Sequence, residues 1–177
     1  MAYGNVFIAV GSNIEPRVNI PKALELLTSS VKISGVSSFY ETLPLGNPLQ
    51  EVFFNGVLQI ETELEPLELK HNVLRSIEDS LGRVRSEDKN APREIDLDIV
   101  VFEDFVLSGE ELTIPDPDIF KRDFIALPLL ELSPGLLIPP SGRPLKDIVE
   151  ASLWAKNSTM KKLSRFSASL LELLETL

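Results

Sequence analysis

The first half of the chain alternates apolar and polar positions in a way that predicts short strands and one early helix. Residues 5–10 read as a first strand, and the helix after it is expected to begin near Pro21. Two β-rich runs follow, residues 31–42 and 52–63, and a loop at residues 44–48 separates them. The predicted buried stripe of the helix comprises Ile20, Ala23, Leu24 and Leu27.

A second helix is predicted over residues 66–81, with Pro66 at its start and Gly82 just beyond its end. A strand at residues 95–102 follows it. Short strand or hairpin pieces near residues 106–107 and 112–114 come next, and then a helix at residues 124–132. The apolar stripe assigned to the second helix comprises Leu67, Leu74, Ile77 and Leu81.

This β-α-β-β-α-β order predicts an α+β fold of the ferredoxin-like α/β sandwich type, with a mainly antiparallel sheet. We expect the helices to cover one face of the sheet and to leave the other face for ligands. Its 177 residues, 44% of them hydrophobic, suffice for one globular domain with a substantial core.

The tail, residues 146–177, is predicted to be a helical extension packed on that single domain of residues 1–177. Its apolar positions recur at helical spacing, so the face they form needs a partner. We expect this partner to be the domain itself, in a monomer, and a homodimer contact through the C-terminal helix is the alternative. The positions are Leu163, Phe166, Leu170, Leu173, Leu174 and Leu177.

Two aspartates interrupt the strand at residues 95–102, although Asp is depleted in strands. The two-residue period sends Asp96 and Asp98 to one face, and Leu97, Ile99 and Val101 to the other, apolar face. Paired carboxylates suit magnesium, which completes its coordination with water and phosphate oxygens. The alternative is a half-buried strand with a solvated polar face.

Cations cluster just before these acids, at Arg83, Arg85, Lys89 and Arg93, although the whole chain has a formal net charge of −10. Arginine matches phosphate oxygens with two parallel hydrogen bonds, so a cationic loop beside metal-binding acids indicates a nucleoside triphosphate. Cations are also favoured at any helix C-terminus, which is the ordinary explanation for Arg83.

Several classes are excluded or disfavoured by composition. The chain has no cysteine, which excludes disulfides, thiol redox catalysis and thiolate metal sites. Its negative charge argues against nucleic acid or an anionic membrane as a partner. No apolar run approaches membrane-spanning length and no N-terminal signal is visible, so the cytoplasm is the expected location. The only histidine, His71, lies on a predicted helix and is expected to be structural.

Several motifs, in order, resemble those of the 6-hydroxymethyl-7,8-dihydropterin pyrophosphokinase family of folate biosynthesis. The similarity covers about residues 5–150, and ordered motifs are far more specific than any single one. They are Gly11-Ser12-Asn13, Ser37-Ser38-Phe39-Tyr40-Glu41-Thr42, Pro44-Leu45-Gly46, Phe53-Phe54-Asn55, Glu78 with Gly82-Arg83-Val84-Arg85, Lys89 with Ala91-Pro92-Arg93, Asp96-Leu97-Asp98-Ile99-Val100, and Arg122 with Phe124.

The resemblance implies transfer of the β,γ-pyrophosphoryl group of ATP to the pterin hydroxymethyl oxygen, with release of AMP. Two Mg²⁺ ions would be held by Asp96 and Asp98, and catalysis would involve these two acids with Arg83 and Arg93. The residues implied to bind ATP are Arg83, Arg85, Lys89, Arg93, Ile99, Asp116 and Arg122. Those implied to bind the pterin are Thr42, Leu43, Leu45, Phe53, Asn55 and Phe124.

The chain departs from the family pattern at five positions, four of them where ATP and the closing loop should lie. A lost aromatic residue removes stacking area, and an acid near phosphate is repulsive. We therefore expect either variation within the same activity or an altered acceptor or reduced activity. A ferredoxin-like nucleotide- or metal-binding regulatory module and a structural interaction protein are the rival classes. Family members commonly have Trp at Asn90, Arg at Lys89, Gly at Ala91, His at Asp116 and Pro at Leu43.

Overall fold

The computed structural model describes residues 2–46, 49–88 and 90–177 of the chain. Its strands are β1 (Tyr3–Ser12), β2 (Lys32–Val36), β3 (Tyr40–Thr42), β4 (Phe53–Thr62), β5 (Asp96–Phe102), β6 (Leu107–Ser108), β7 (Thr113–Ile114), β8 (Leu137–Ile138), β9 (Arg143–Pro144) and β10 (Lys161–Lys162). Its helices are α1 (Pro16–Thr28), α2 (Pro66–Glu68), a π-helical turn (Leu69–Leu74), α3 (Arg75–Ser80), a 3₁₀ turn (Pro117–Phe120), α4 (Asp123–Leu132), α5 (Leu145–Ala151), α6 (Leu153–Lys156) and α7 (Ser164–Thr176).

The main sheet has six strands in the order β10-β3-β4-β1-β5, and β2 also pairs with β4. Every pairing is antiparallel, and the hairpins β6–β7 and β8–β9 form two small sheets of their own. The predicted α+β fold with a mainly antiparallel sheet is confirmed. No helix in the described part of the chain has both the length and the apolar composition to cross a bilayer.

Helices pack on both faces of the sheet, so the expectation that one face would be free of helices is wrong. On one face, side chains of β1 and β4 pack with α1, α3 and α7. On the other, Phe7 and Val57 pack with α4 and α5, including Leu129 and Ile148. A cavity therefore occupies only the part of this second face that α4 leaves uncovered.

A β-bulge in β5 overturns one detail of the predicted alternation. Phe7 pairs with Val101 and Ile8 pairs with Ile99, which leaves Val100 as an extra residue. An extra residue reverses the side-chain alternation after it. Val101 consequently joins the core cluster of α4 and α5, and does not share the face of Leu97 and Ile99 as predicted.

The run at residues 31–42, predicted to be continuous β structure, is divided into β2 and β3. Ser37 breaks it: its backbone N–H donates to Val57 O at 2.9 Å, and its Oγ accepts from Val57 N–H at 2.8 Å. The predicted loop at residues 44–48 contains Asn47 and Pro48, which lie outside the described residues.

Two helix predictions also need correction. The first helix begins at Pro16, and Pro21 lies inside it, because Pro16 already supplies the favourable first position. In the second helical region Leu67 is 48% exposed and Leu69 is buried in its place. The π-helical turn at Leu69–Leu74 changes the angle between successive side chains. The buried stripe, predicted with the α-helical period, therefore includes the wrong residue there.

The C-terminal segment packs against the main core through part of its apolar face. Phe166 and Leu170 are buried there, and Leu163 and Leu174 pack against the same cluster. Leu177 is 58% exposed, so the predicted stripe is solvated at its end. The segment also includes α5, α6 and the short strand β10, and is not a single helix.

Candidate active site

A cavity of about 330 Å³ opens beside the ends of β1, β4 and β5, on the sheet face that also carries α4. It combines acids, cations, aromatic rings and an amide, and it holds eleven of the fifteen predicted site residues. Its lining residues are Ala9, Val10, Gly11, Thr42, Leu43, Leu45, Phe53, Asn55, Gly56, Asn90, Arg93, Asp96, Asp98, Asp116, Asp118, Arg122, Phe124 and Ile125.

Asp96 and Asp98 form the acidic part of the wall. Each lies opposite a small residue of β1, Gly11 for Asp96 and Ala9 for Asp98, so space remains above both carboxylates. Leu97 and Ile99 point away into the core, in agreement with the two-residue period. One side of β5 thus forms this part of the cavity wall, and the other side of β5 packs in the core.

The electrostatics around Asp98 disfavour its charged form. Burial within the cavity, reinforced by the negative charges of Asp96, Glu78 and Asp116, raises the pKa of Asp98 to about 7, and Arg83 only partly opposes this. Like-charged carboxylates crowded together resist ionisation. A bound cation would relieve this repulsion.

The predicted arginines are placed in two different ways. Arg93 lines the cavity, pairs with the Asp96 carboxylate, and has its guanidinium 5.7 Å from the centre of the Phe53 ring. Arg83 lies behind the cavity wall and pairs with both Asp96 and Glu78. Asp96 therefore receives one arginine on each oxygen.

Arg85 is farther from the cavity, in ion pairs with Glu78 at 2.7 Å and with Asp79. Burial alone would lower the pKa of Arg83, but the adjacent Asp96 and Glu78 carboxylates raise it overall. Arg83 therefore stays charged and holds the two acids together. The fourth predicted cation, Lys89, lies outside the described residues.

Glu78 is a component of this network to which sequence reasoning assigned no role. It is only 4% exposed, and it accepts the Leu97 N–H at 2.8 Å besides its bonds to Arg83 and Arg85. Burial raises the pKa of Glu78 overall, and the Leu97 hydrogen bond and the arginines only partly oppose this. The sequence did contain a signal, because Glu78 lies on the second predicted helix, five residues before Arg83 and seven before Arg85.

Another part of the cavity lining is suited to a flat polar ring. Asn55 donates from Nδ2 to Thr42 Oγ1 at 2.7 Å, and both residues face the cavity. Phe53 and Phe124 line it as well, and both are partly buried. Leu43 and Leu45 extend the apolar lining and are 72% and 43% exposed, respectively.

Asn13, also without an assigned role, connects two loops to the end of β1. Its Oδ1 accepts the Arg93 N–H at 2.8 Å, and its Nδ2 donates to Gln50 Oε1 and Glu51 O, both at 3.2 Å. Gln50 in turn donates to Asn90 O at 2.7 Å. The backbone that carries Arg93 is therefore fixed against the loop that precedes Phe53.

Arg122 and Asp116 border the cavity on the α4 side. Arg122 Nε is buried and has no hydrogen-bond partner within the described residues, and the Asp118 carboxylate lies 4.0 Å from it. Asp116 accepts the Asp118 N–H at 2.8 Å, and burial with the nearby Asp118 and Asp96 charges raises its pKa. An unpaired buried guanidinium N–H favours an incoming anion.

A second cavity, of about 160 Å³, adjoins the first, since Asp98 and Asp116 line both. Ile99 borders it, and the Ile99 side chain is buried in the core, so the backbone is the part available to a ligand. At its rim, Lys70 Nζ donates to Glu111 O. Glu111 also pairs with His71, Oε2 to Nε2, at 2.9 Å, a contact that suits the structural role expected for this histidine.

Carboxylate pairs supply the metal-binding chemistry of this cavity. Within residues 2–46, 49–88 and 90–177, no group of three or more acidic, histidine or cysteine side chains converges for a metal ion. Two aspartates with an open cavity above them fit magnesium, which takes few protein ligands and completes its shell from water and phosphate. The repulsion that raises the pKa of Asp98 fits a cation as well.

Comparison with known proteins identifies the family. Residues 7–134 match the family model of 7,8-dihydro-6-hydroxymethylpterin-pyrophosphokinase (HPPK). The chain belongs to the HPPK family. The resemblance inferred from the ordered motifs is thereby confirmed, and relatives of this family are enzymes by name.

Individual HPPK relatives agree. The chain is 38% identical over 143 residues to the 2-amino-4-hydroxy-6-hydroxymethyldihydropteridine pyrophosphokinase of Aquifex aeolicus, covering 80% of this chain and 88% of that one. The enzyme of the same name from Haemophilus influenzae is 38% identical over 138 residues, which cover 76% and 85% of the two chains. The folic acid synthesis protein fol1 of Schizosaccharomyces pombe is 40% identical over 147 residues; these are 81% of this chain but 20% of that longer protein.

Proposed function

We propose that this protein transfers the pyrophosphoryl group of ATP to the hydroxymethyl group of 6-hydroxymethyl-7,8-dihydropterin and releases AMP, as a step of folate biosynthesis. The observation that carries the proposal is one cavity that brings Asp96 and Asp98 together with Arg93, Arg122 and the Thr42–Asn55 pair, in a chain of the HPPK family. The names of the relatives support the same reaction.

The phosphates of ATP would lie between the acids and the arginines. Arg93 lines the cavity and Arg122 has an unpaired Nε, so both would donate to phosphate oxygens. We assign Arg83 the role of balancing Asp96 from behind the wall, and Arg85 and Lys89 that of attracting the triphosphate. The nucleoside would extend into the second cavity, where the Ile99 backbone and Asp116 border it.

Asp96 and Asp98 would hold magnesium, two ions according to the family resemblance. The bound ions would neutralise phosphate charge and acidify the pterin hydroxyl. The chain itself would position the hydroxyl in line with the β-phosphorus and keep water out, which is most of what phosphoryl-type transfer requires. Either Asp98 or Asp96 would accept the hydroxyl proton.

The pterin would occupy the other half of the cavity, with its ring between Phe53 and Phe124. The Asn55 amide, held by Thr42 at 2.7 Å, would read the hydrogen-bonding edge of the ring, and Leu43 and Leu45 would complete the apolar lining. A chain with Asn90 and Asp116 in this cavity could instead have an altered acceptor or reduced activity. The crowding of Asp116 with Asp98 is the observation that favours this second candidate.

We also propose that residues 1–177 act as one domain, with residues 146–177 as a C-terminal extension on it, and that the protein works as a cytoplasmic monomer. The burial of Phe166 and Leu170 against the main core supports this arrangement, because it satisfies much of the apolar face that would otherwise need a second copy.

The direct test is to mix the purified protein with ATP, MgCl₂ and 6-hydroxymethyl-7,8-dihydropterin and to measure AMP. We expect AMP in proportion to pterin, and no AMP when the pterin is omitted. Asp98→Ala should abolish AMP formation while the circular dichroism spectrum is retained. If wild-type protein binds ATP but forms no AMP, the regulatory binding module is favoured over the enzyme.

A further inference from the structure

The segment that begins at β10 lies beyond residues 7–134 matched by the family model, yet it packs behind the wall of the first cavity. Lys161 pairs with Glu41 and Lys162 pairs with Tyr40, so β10 adds a strand next to β3. The Leu163 N–H then donates to Phe39 O at 2.8 Å. The three-residue strand β3 is therefore held on both sides, by β4 and by β10.

Helix α7 continues this contact into the core. The Phe166 ring lies edge-to-face with the rings of Phe39 and Phe54, at centroid distances of 5.7 and 5.4 Å. Ser167 Oγ accepts the Phe39 N–H at 2.8 Å and donates to Leu163 O at 2.9 Å. Phe39 thus has both backbone polar groups satisfied by the C-terminal segment.

The residues that α7 touches are adjacent to residues that line the cavity. Strand alternation places Phe54 on the core face, whereas its neighbours Phe53 and Asn55 face the cavity. Phe39 also packs directly on the β4 backbone: a Cβ built at Gly56 would lie 2.7 Å from its ring. A shift of Phe39 would therefore displace β4 beside Asn55.

We propose that residues 161–170, the C-terminal brace, position the Thr42–Asn55 pair and so set the affinity of the site for its pterin substrate. Phe166 and Ser167 are its positioning residues; they act through Phe39 and Phe54 and do not touch the substrate. The inference rests on the proposed function, because it assigns the Thr42–Asn55 side of the cavity to the pterin. Among the described residues, no hydrogen bond or ion pair joins the brace to Asp98 or Asp116, so nucleotide binding should be independent of it.

The test uses the full chain with Ser167→Ala, which leaves the buried Phe39 N–H without its acceptor, and Ser167→Thr, which keeps a hydroxyl. Phe166→Leu is a second variant that removes the ring contacts. The matched control is Ile148→Val, a core change in the α4–α5 cluster at a residue that lines neither cavity. All proteins are assayed below the lowest thermal midpoint, so that each is folded.

Two affinities are measured by titration calorimetry: a non-hydrolysable ATP analogue with MgCl₂, and 6-hydroxymethyl-7,8-dihydropterin added to the analogue complex. We expect Ser167→Ala and Phe166→Leu to weaken pterin binding about fivefold to tenfold and to change analogue binding less than about twofold. The KM for pterin should rise while kcat changes little. Ser167→Thr should restore pterin binding, and Ile148→Val should alter neither affinity.

Loss of both affinities together in the brace variants, or no change in either, would overturn the proposal and would leave the proposed function intact, since wild-type turnover is measured alongside. Failure of the wild-type protein to bind pterin and to form AMP would instead overturn the proposed function and the brace with it.

Discussion

At the scale of single residues, Asp98 is where binding chemistry and stability conflict most directly. Burial and three neighbouring acids raise its pKa to about 7, so at neutral pH part of the metal-free protein holds a proton there. Binding a cation favours the charged carboxylate and should release this proton. The residue that suits the ligand-bound site is thus unfavourable in the ligand-free fold.

We expect Asp98→Asn to stabilise the metal-free protein at alkaline pH. The folded pKa is about 7 and the unfolded pKa is near the usual 3.8, so wild-type stability is lost as pH rises from about 4 to 7 and then levels off. The full shift would correspond to ~4 kcal/mol, and solvent at the cavity reduces the expected gain to about 1–2 kcal/mol. Urea unfolding of Asp98→Asn and wild type, with a chelator present, at pH 8 and at pH 4, measures this gain in the free energy of unfolding.

The gain should be much smaller near pH 4, where the folded wild-type carboxyl is protonated and the unfolded one is only about half ionised. Asp118→Asn, at another acid of the same cavity, serves as the comparison. An equal gain at both pH values would show that the effect is not ionisation of Asp98. AMP formation by Asp98→Asn should be lost whatever its stability.

Glu78→Gln should destabilise the protein, although glutamine retains an oxygen for the Leu97 N–H. The change removes the charge that balances Arg83 and Arg85 in a site where Glu78 is 4% exposed. Breaking a buried ion pair on one side costs about 3–5 kcal/mol, and partial solvent access at Arg85 places the expected loss near the lower end. Urea unfolding at pH 7.5 compares it with the exposed Glu25→Gln, which should change little. Equal free energies of unfolding for Glu78→Gln and Glu25→Gln would contradict a stabilising role of the Glu78 charge.

At the scale of elements, strand and helix order follows from periodicity, whereas the exceptions come from pairing. The bulge at Val100 arises from the register of β1 with β5, and the division between β2 and β3 from the bonds of Ser37 to Val57. The partner strands, β1 for Val100 and β4 for Ser37, cannot be identified from the sequence next to those residues. The same limit applies to the site. The cluster of Asp96 and Asp98 could be predicted from one strand. The hydrogen bonds of Asn13 could not, because they join the end of β1 to the distant residues Gln50 and Arg93.

Gly11→Ala tests how closely β1 approaches the candidate pterin site. A Cβ at Gly11 would lie 2.8 Å from Asn55 Oδ1, so the amide must shift away from its present place beside Thr42. We expect pterin affinity to fall about tenfold, ~1.4 kcal/mol, with a smaller change in nucleotide affinity, both by calorimetry. Gly135→Ala is the control, since no atom lies within 4 Å of its Cβ position. Unchanged pterin affinity in Gly11→Ala would place the pterin elsewhere.

At the scale of the whole molecule, a net charge of −10 and a cavity that holds four aspartates make free ATP an unfavourable ligand. Asp96 is already neutralised by Arg83 and Arg93, so Arg93 is available to phosphate only if Asp96 gains another cation. Metal and nucleotide should therefore bind cooperatively, since each removes the charge that opposes the other.

We expect removal of Mg²⁺ with EDTA to weaken binding of a non-hydrolysable ATP analogue at least about tenfold, and Mg²⁺ alone to bind weakly. Asp98→Asn should make analogue affinity less dependent on Mg²⁺. Loss of a metal ligand should weaken binding with Mg²⁺, and loss of a negative charge that repels free nucleotide should strengthen binding without it. Calorimetric titrations with and without MgCl₂, at constant ionic strength, measure both effects. Equal analogue affinity with and without Mg²⁺ in the wild-type protein would contradict the coupling, and a variant whose metal dependence matches that of the wild type would remove Asp98 from it.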